Sequence, residues 1–234
     1  MNDGVIKKCP VCGSTTRIGK ILYGLPDGSE ELMRRCGNEE VYLGGCMILP
    51  GYPKFHCFEC DSNIGKSPIL LTKSGEEDYR RITTAIRFRE EGRPTLVLEK
   101  KDGKTVLEVW TRSEAEQDSD QAGQDSGEAV LTIDEVLRSL NQTTQDPRES
   151  LSYTREMTEE EWKELLDKLY TELYLHEWRV IFLKSRFPEG KRWELETGFT
   201  KDRRLKRVGV GIFPPYWEEL LDVLKPYYGE AGLS

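Results

Sequence analysis

The chain has 234 residues and a formal net charge of −8, with 37% apolar and 32% charged side chains. A mean hydropathy of −0.61 and the lack of any run near the ~18 apolar residues of a membrane span exclude a membrane-helix protein. Residues 1–8 lack the apolar core of a signal peptide, so the expected setting is cytoplasmic. The length allows one large domain or two to three small ones, and the modest apolar content favours small ones.

The charge is local. Residues 114–160 carry thirteen acidic and three basic side chains, whereas residues 1–68 and 161–234 are each balanced. A balanced module can still present a basic face, so the net charge does not exclude nucleic acid.

Residues 1–68 hold all six cysteines. Cys9-Pro-Val-Cys12-Gly13 and Cys57-Phe-Glu-Cys60-Asp61 each place two thiolates on one tight turn. Two such turns brought together make a tetrahedral four-sulfur site suited to Zn2+. Gly13 suits the positive φ that follows the second cysteine, and Asp61 tolerates it better than most residues. The interval between the pairs exceeds the usual ~15–20 residues and must hold an insertion, with a short helix at residues 29–36. Cys36 and Cys46 remain as buried small residues, or Cys46 as a reactive thiol beside Gly44-Gly45. His56 reads as a strand residue leading into the second turn.

Residues 69–142 are expected to open with a helix at 76–89, marked by Tyr79, Ile82 and Ile86. Strands at 95–99 and 105–110 follow, joined around Asp102-Gly103, a hairpin signal because Gly accepts positive φ. Residues 113–127 have no large apolar side chain and read as an acidic linker. A short helix is expected at 132–140 and a polar break at 141–150.

Residues 151–234 repeat the order. Thr158 and Glu161 form a capping box before a helix carrying Trp162, Leu165, Leu166, Leu169, Leu173 and His176. A strand at 193–199, a turn at 201–204 and a strand at 205–212 lead to Pro214-Pro215 and a helix from Trp217. Lys201, Arg203, Arg204, Lys206 and Arg207 crowd this hairpin, either as phosphate contacts or as a solvated turn. His176-Glu177 could do acid–base work, but no nucleophile motif accompanies it.

Cys9-Pro-Val-Cys12-Gly13, Tyr23-Gly24-x-Pro26, Leu43-Gly44-Gly45-Cys46 and Cys57-x-x-Cys60 resemble small bacterial zinc-ribbon proteins of uncharacterised function. Trp193-Glu-Leu, Lys206-Arg-Val-Gly209 and Pro214-Pro215-Tyr-Trp217-Glu-Glu-Leu220 are similar to a second uncharacterised bacterial C-terminal module. The resemblance implies a bacterial cytosolic origin and a zinc ribbon, and supplies no reaction.

The expected protein is α+β: a zinc ribbon at 1–68, then one or two helix–β-hairpin–helix units at 69–142 and 151–234. Its expected function is that of a zinc-binding, non-catalytic interaction module or adaptor with a protein partner. The alternative is an accessory nucleic-acid-binding subunit using residues 201–207. A third class is an enzyme dependent on Cys46 or His176. The oligomeric state stays open.

Overall fold

A computed structural model describes residues 6–46, 51–72, 75–112, 149–183 and 189–229. The chain forms two compact units. The first gathers residues 1–81, 166–178 and 214–220, and the second 82–165, 179–213 and 221–234. Each unit is built from three separate stretches, a grouping different from the consecutive pieces 1–68, 69–142 and 151–234.

In the first unit, β1 (Ile18–Leu22), β2 (Val41–Leu43), β3 (Phe55–Cys57) and β4 (Ser62–Ile64) form a sheet in the order β2-β1-β3-β4. β1–β3 and β3–β4 are antiparallel, while β2 runs parallel to β1. The helix α1 (Glu30–Gly37) carries the chain back between the parallel strands, as such a crossover requires. Ser29 caps it by accepting the Leu32 N–H at 3.2 Å. Glu30 and Glu31 in its first turn and Arg34 and Arg35 in its last suit the helix dipole. β5 (Ile69–Thr72) and β6 (Gly75–Asp78) form a separate hairpin, followed by one turn of helix, α2 (Tyr79–Ile82).

The second unit contains a seven-stranded sheet. Its strands are β7 (Thr83–Glu90), β8 (Thr95–Lys101), β9 (Lys104–Arg112), β10 (Glu149–Met157), β11 (Ile181–Phe182), β12 (Arg192–Phe199) and β13 (Arg203–Val210). The order is β10-β9-β8-β7-β12-β13-β11, antiparallel except for β11 beside β13. One buried row crosses five strands in register through Val109, Leu96, Phe88, Leu195 and Arg207. The opposite face alternates in charge: Arg87 faces Glu196, Glu196 faces Lys206, and Arg89 faces Glu194. The remaining α-helices are α3 (Glu159–Asp167), which continues into a π-helical turn (Lys168–Glu172) and a 3-10 turn (Leu175–Glu177), and α4 (Trp217–Gly229). α3 begins at the expected capping box: the Thr158 N–H donates to Glu161 Oε2 at 2.7 Å, and the Glu161 N–H to Thr158 Oγ1 at 3.1 Å.

The α+β expectation of a zinc ribbon followed by helix–hairpin–helix units is overturned. Of the described residues 41% are strand and 24% helix, arranged in three sheets with four α-helices. The expected helix at 76–89 is β6, one helical turn and then β7. Tyr79, Ile82 and Ile86 mimic helical spacing only because they straddle that junction. From Ala85 onward burial alternates, with Ile86 and Phe88 inside and Arg87 and Arg89 on the other face. The hairpins at 95–112 and 192–210 exist, but both join one sheet through β7. The acidic linker at 113–127 and the helix at 132–140 lie outside the described residues. Among the described residues no helix is long and apolar enough to cross a membrane.

Candidate metal centre

Cys9 and Cys12 lie on the loop before β1. The Cys9 N–H donates to the Ser14 carbonyl at 2.8 Å, and the Gly13 N–H to the Cys9 carbonyl at 2.9 Å. Gly13 has φ +83°, a left-handed conformation that closes this loop. The Val11 N–H points at Cys9 Sγ at 3.4 Å, as a backbone donor to a thiolate does. Cys57 ends β3 and Cys60 sits on the turn into β4. Asp61 follows at φ +53°, and Cys57 and Ser62 are register partners across that turn.

The four sulfurs lie within 4.8 Å of one another and could hold a metal ion. Cys9 and Cys60 are 3.7 Å apart, and Cys12 and Cys57 3.6 Å. Cys9 and Cys57 are buried, Cys60 is intermediate and Cys12 is exposed. Burial pushes the Cys9 thiol above its ordinary range, and desolvation of the sulfur together with its Cys60 and Cys57 neighbours does the same at Cys12, although the residue as a whole is exposed. At Cys60 burial acts the same way, but hydrogen bonds outweigh it and the thiol falls below that range. Four sulfurs this close cannot all carry charge without a cation among them, so the donor set fits a soft divalent metal.

Around the sulfurs, Ile6, Cys9, Cys57 and Ile64 form a buried cluster against which Val11, Ile18, Phe55 and Tyr174 pack. Tyr174 holds φ +51°, an uncommon conformation for a bulky residue. His56 is 3% exposed. Its ring stacks on Tyr42 at 3.8 Å and its Nδ1 lies 2.8 Å from Asn63 Oδ1.

The other sequence candidates are elsewhere. Cys36 lies near the end of α1, and Cys46 is exposed beyond Gly45. Neither belongs to the four-sulfur group. His176 and Glu177 have side chains only 5% and 4% exposed, and both grip the backbone of Lys66. Glu177 Oε1 accepts the Lys66 N–H at 2.8 Å, and His176 Nε2 lies 3.1 Å from the Lys66 carbonyl. A carbonyl only accepts, so Nε2 carries the proton. Burial raises the Glu177 carboxyl to about 7. The pair is engaged with the backbone on both sides of Lys66.

The five hairpin cations do not share one surface. Lys201 and Asp202, at φ +64° and +53°, form the tight turn between β12 and β13. Arg204 Nη1 meets Glu196 Oε1 at 3.1 Å. Lys206 Nζ meets Glu194 Oε2 at 2.8 Å, and the Lys206 side chain is 8% exposed. Arg207 is 2% exposed. Lys206 and Arg207 therefore cannot serve as surface phosphate contacts in this fold. From Lys206 to Val210 the strand is buried on both of its faces, which a count of consecutive cations cannot reveal.

Sequence reasoning missed Tyr174, Tyr216 and Lys8 around the sulfurs. The Tyr216 hydroxyl donates to the Lys8 carbonyl at 2.8 Å across 208 positions of sequence, and no local signal marks such a contact. Comparisons with family models, curated proteins and solved structures returned no match.

Proposed function

We propose that the chain is a zinc-binding, non-catalytic interaction module that works in a bacterial cytosolic complex with a protein partner. The observation that carries this reading is the four-sulfur group. A tetrahedron with ~2.3 Å metal–sulfur arms has edges of about 3.8 Å, and the Cys9–Cys60 and Cys12–Cys57 sulfur–sulfur distances are 3.7 and 3.6 Å. Four thiolates fill every position around a tetrahedral zinc, leaving none for a substrate or reactive water. That is the pattern of a metal that holds structure. The resemblance of the two cysteine pairs, with Tyr23-Gly24-x-Pro26 and Leu43-Gly44-Gly45-Cys46 between them, to bacterial zinc-ribbon proteins points the same way.

The partner reading rests on the sheet that carries the site. Leu22 and Leu43 are register partners on β1 and β2, 43% and 42% exposed, and Leu25 is 89% exposed. Apolar side chains grouped on a surface mark contact with protein more than with phosphate.

Elemental analysis of natively purified protein tests the metal and should find one zinc per chain, lost in Cys9→Ser. Metal-free wild-type protein would end this reading. A double Leu22→Asp, Leu43→Asp variant should keep its zinc and lose the proteins that co-purify with the wild type.

A further inference from the structure

We propose that Tyr216 is a positioning residue of the metal centre, clamping the first cysteine loop from the far end of the chain. This rests on the metal reading above. The loop from Cys9 to Gly13 carries two of the four sulfurs, and the turn Pro215-Tyr216 meets it at both ends. At its start, the Tyr216 hydroxyl donates to the carbonyl of Lys8, the residue before Cys9, at 2.8 Å. At its finish, a Cβ built on Gly13 would lie 3.6 Å from Pro215 Cβ, so that proline is seated directly on the residue after Cys12.

Two further contacts fix the clamp. Lys8 Nζ stands 4.7 Å from the Tyr216 ring centre and pairs with Glu219, one helical turn on from Tyr216. The Tyr174 ring, itself packed on the cluster of Ile6, Cys9, Cys57 and Ile64, lies 6.2 Å from the Tyr216 ring. Tyr216 is 4% exposed. Burial holds its phenol well above the usual range, so the hydroxyl remains a donor.

Groups outside the ligand shell that orient ligands tune metal affinity. Tyr216 orients Cys9 and Cys12 through the Lys8 carbonyl and is not itself one of the four sulfur donors. The coupling is reciprocal by linkage: a metal that fixes the loop also fixes the segment Pro214–Leu220 that grips it.

The test uses the full-length zinc-loaded chain and transfer of zinc to an excess of chromogenic chelator. Tyr216→Phe should release zinc about tenfold faster than wild type and shift the visible bands of the Co2+-substituted protein. Tyr228→Phe, which removes another buried phenol hydroxyl, should do neither. Should Tyr216→Phe not fold, amide exchange on wild-type protein gives the reciprocal readout. Removing the metal should speed exchange of the Trp217 and Leu220 N–H groups, which donate to the Pro214 and Tyr216 carbonyls. Wild-type zinc release and unshifted bands in Tyr216→Phe overturn the proposal, as does unchanged exchange at Trp217 and Leu220. Wild-type protein that takes up neither zinc nor Co2+ overturns the metal reading itself, a separate outcome.

Discussion

Trp193 packs against Gly209, its register partner across β12 and β13, and donates its indole N–H to the Ile212 carbonyl at 2.7 Å. A Cβ on Gly209 would come within 2.3 Å of Trp193 Nε1 and 2.7 Å of the Ile212 carbonyl oxygen. Trp193 is fully buried, so the ring has nowhere to go. Gly209→Ala is expected to destabilise the protein by about 1–3 kcal/mol, the usual cost of overpacking. Urea unfolding measures it, and an unchanged midpoint would show that the ring can yield.

Cys9 and Cys57 are both 0% exposed, at the centre of the cluster beside the metal centre. Serine at either position leaves three sulfurs and a buried hydroxyl. Because metal binding supplies folding free energy in small sulfur sites, Cys57→Ser should lose the metal and melt about 10 °C lower. Chelation of the wild type should lower its melting temperature in the same direction. Differential scanning calorimetry with metal analysis on the same samples checks both.

Glu177 gives a pH dependence of defined sign. Burial raises its carboxyl from 4.5 to about 7 in the folded chain, with His176 and Lys66 as its ionisable neighbours. The folded state therefore holds the proton more tightly than the unfolded one. Its contribution to stability is complete below pH 4.5 and is lost as pH rises through about 7, on the order of 3 kcal/mol. Glu177→Gln keeps an oxygen for the Lys66 N–H and cannot ionise. Relative to wild type, it should gain stability between about pH 5 and pH 8 in paired unfolding titrations. A constant difference across that range would mean that Glu177 does not titrate there.

Lys206 and Arg203 separate a structural hairpin from a phosphate-binding one. Lys206 and Arg192 both pair with Glu194, at 2.8 and 2.6 Å. Burial alone would raise that carboxyl, and the two cations outweigh it and hold it below its usual range. Lys206→Met strips one partner from a largely buried carboxylate and should cost about 3 kcal/mol. Arg203→Ala, at the first residue of β13, should stay within about 0.5 kcal/mol. Neither should change oligonucleotide retention at low salt. A steep salt-dependent loss in Arg203→Ala would restore the hairpin as a nucleic-acid contact.

Much of the local structure is legible in the sequence because its causes are local. Ser29 caps α1, Thr158 and Glu161 close on each other, and Asp102-Gly103 turns β8 into β9 at φ +51° and +81°. The four metal-centre cysteines are legible because Cys-x-x-Cys spacing encodes a turn. What is illegible depends on partners far along the chain. β7 is a strand because β8 and β12 flank it, and Tyr79 and Ile82 just before it lend Ile86 a helical spacing that hides it. Arg207 is buried because β13 lies inside the sheet, between β12 and β11, and is covered on both faces from Lys206 onward. Tyr216 reaches the metal centre through a contact that no window of sequence contains.

The place of β7 in its sheet has a consequence for synthesis. One edge pairs with β8, which follows within a few residues, while the other waits for β12, which begins at Arg192. Roughly 100 residues separate the end of β7 from that partner, or on the order of 5–20 s of ribosome time. Throughout that interval the nascent chain presents an open strand edge next to the buried row of Phe88 and Ile86. An exposed edge with apolar neighbours is a template for wrong pairing. Arg87 and Arg89, alternating along that edge, place charges there that work against pairing between two nascent chains.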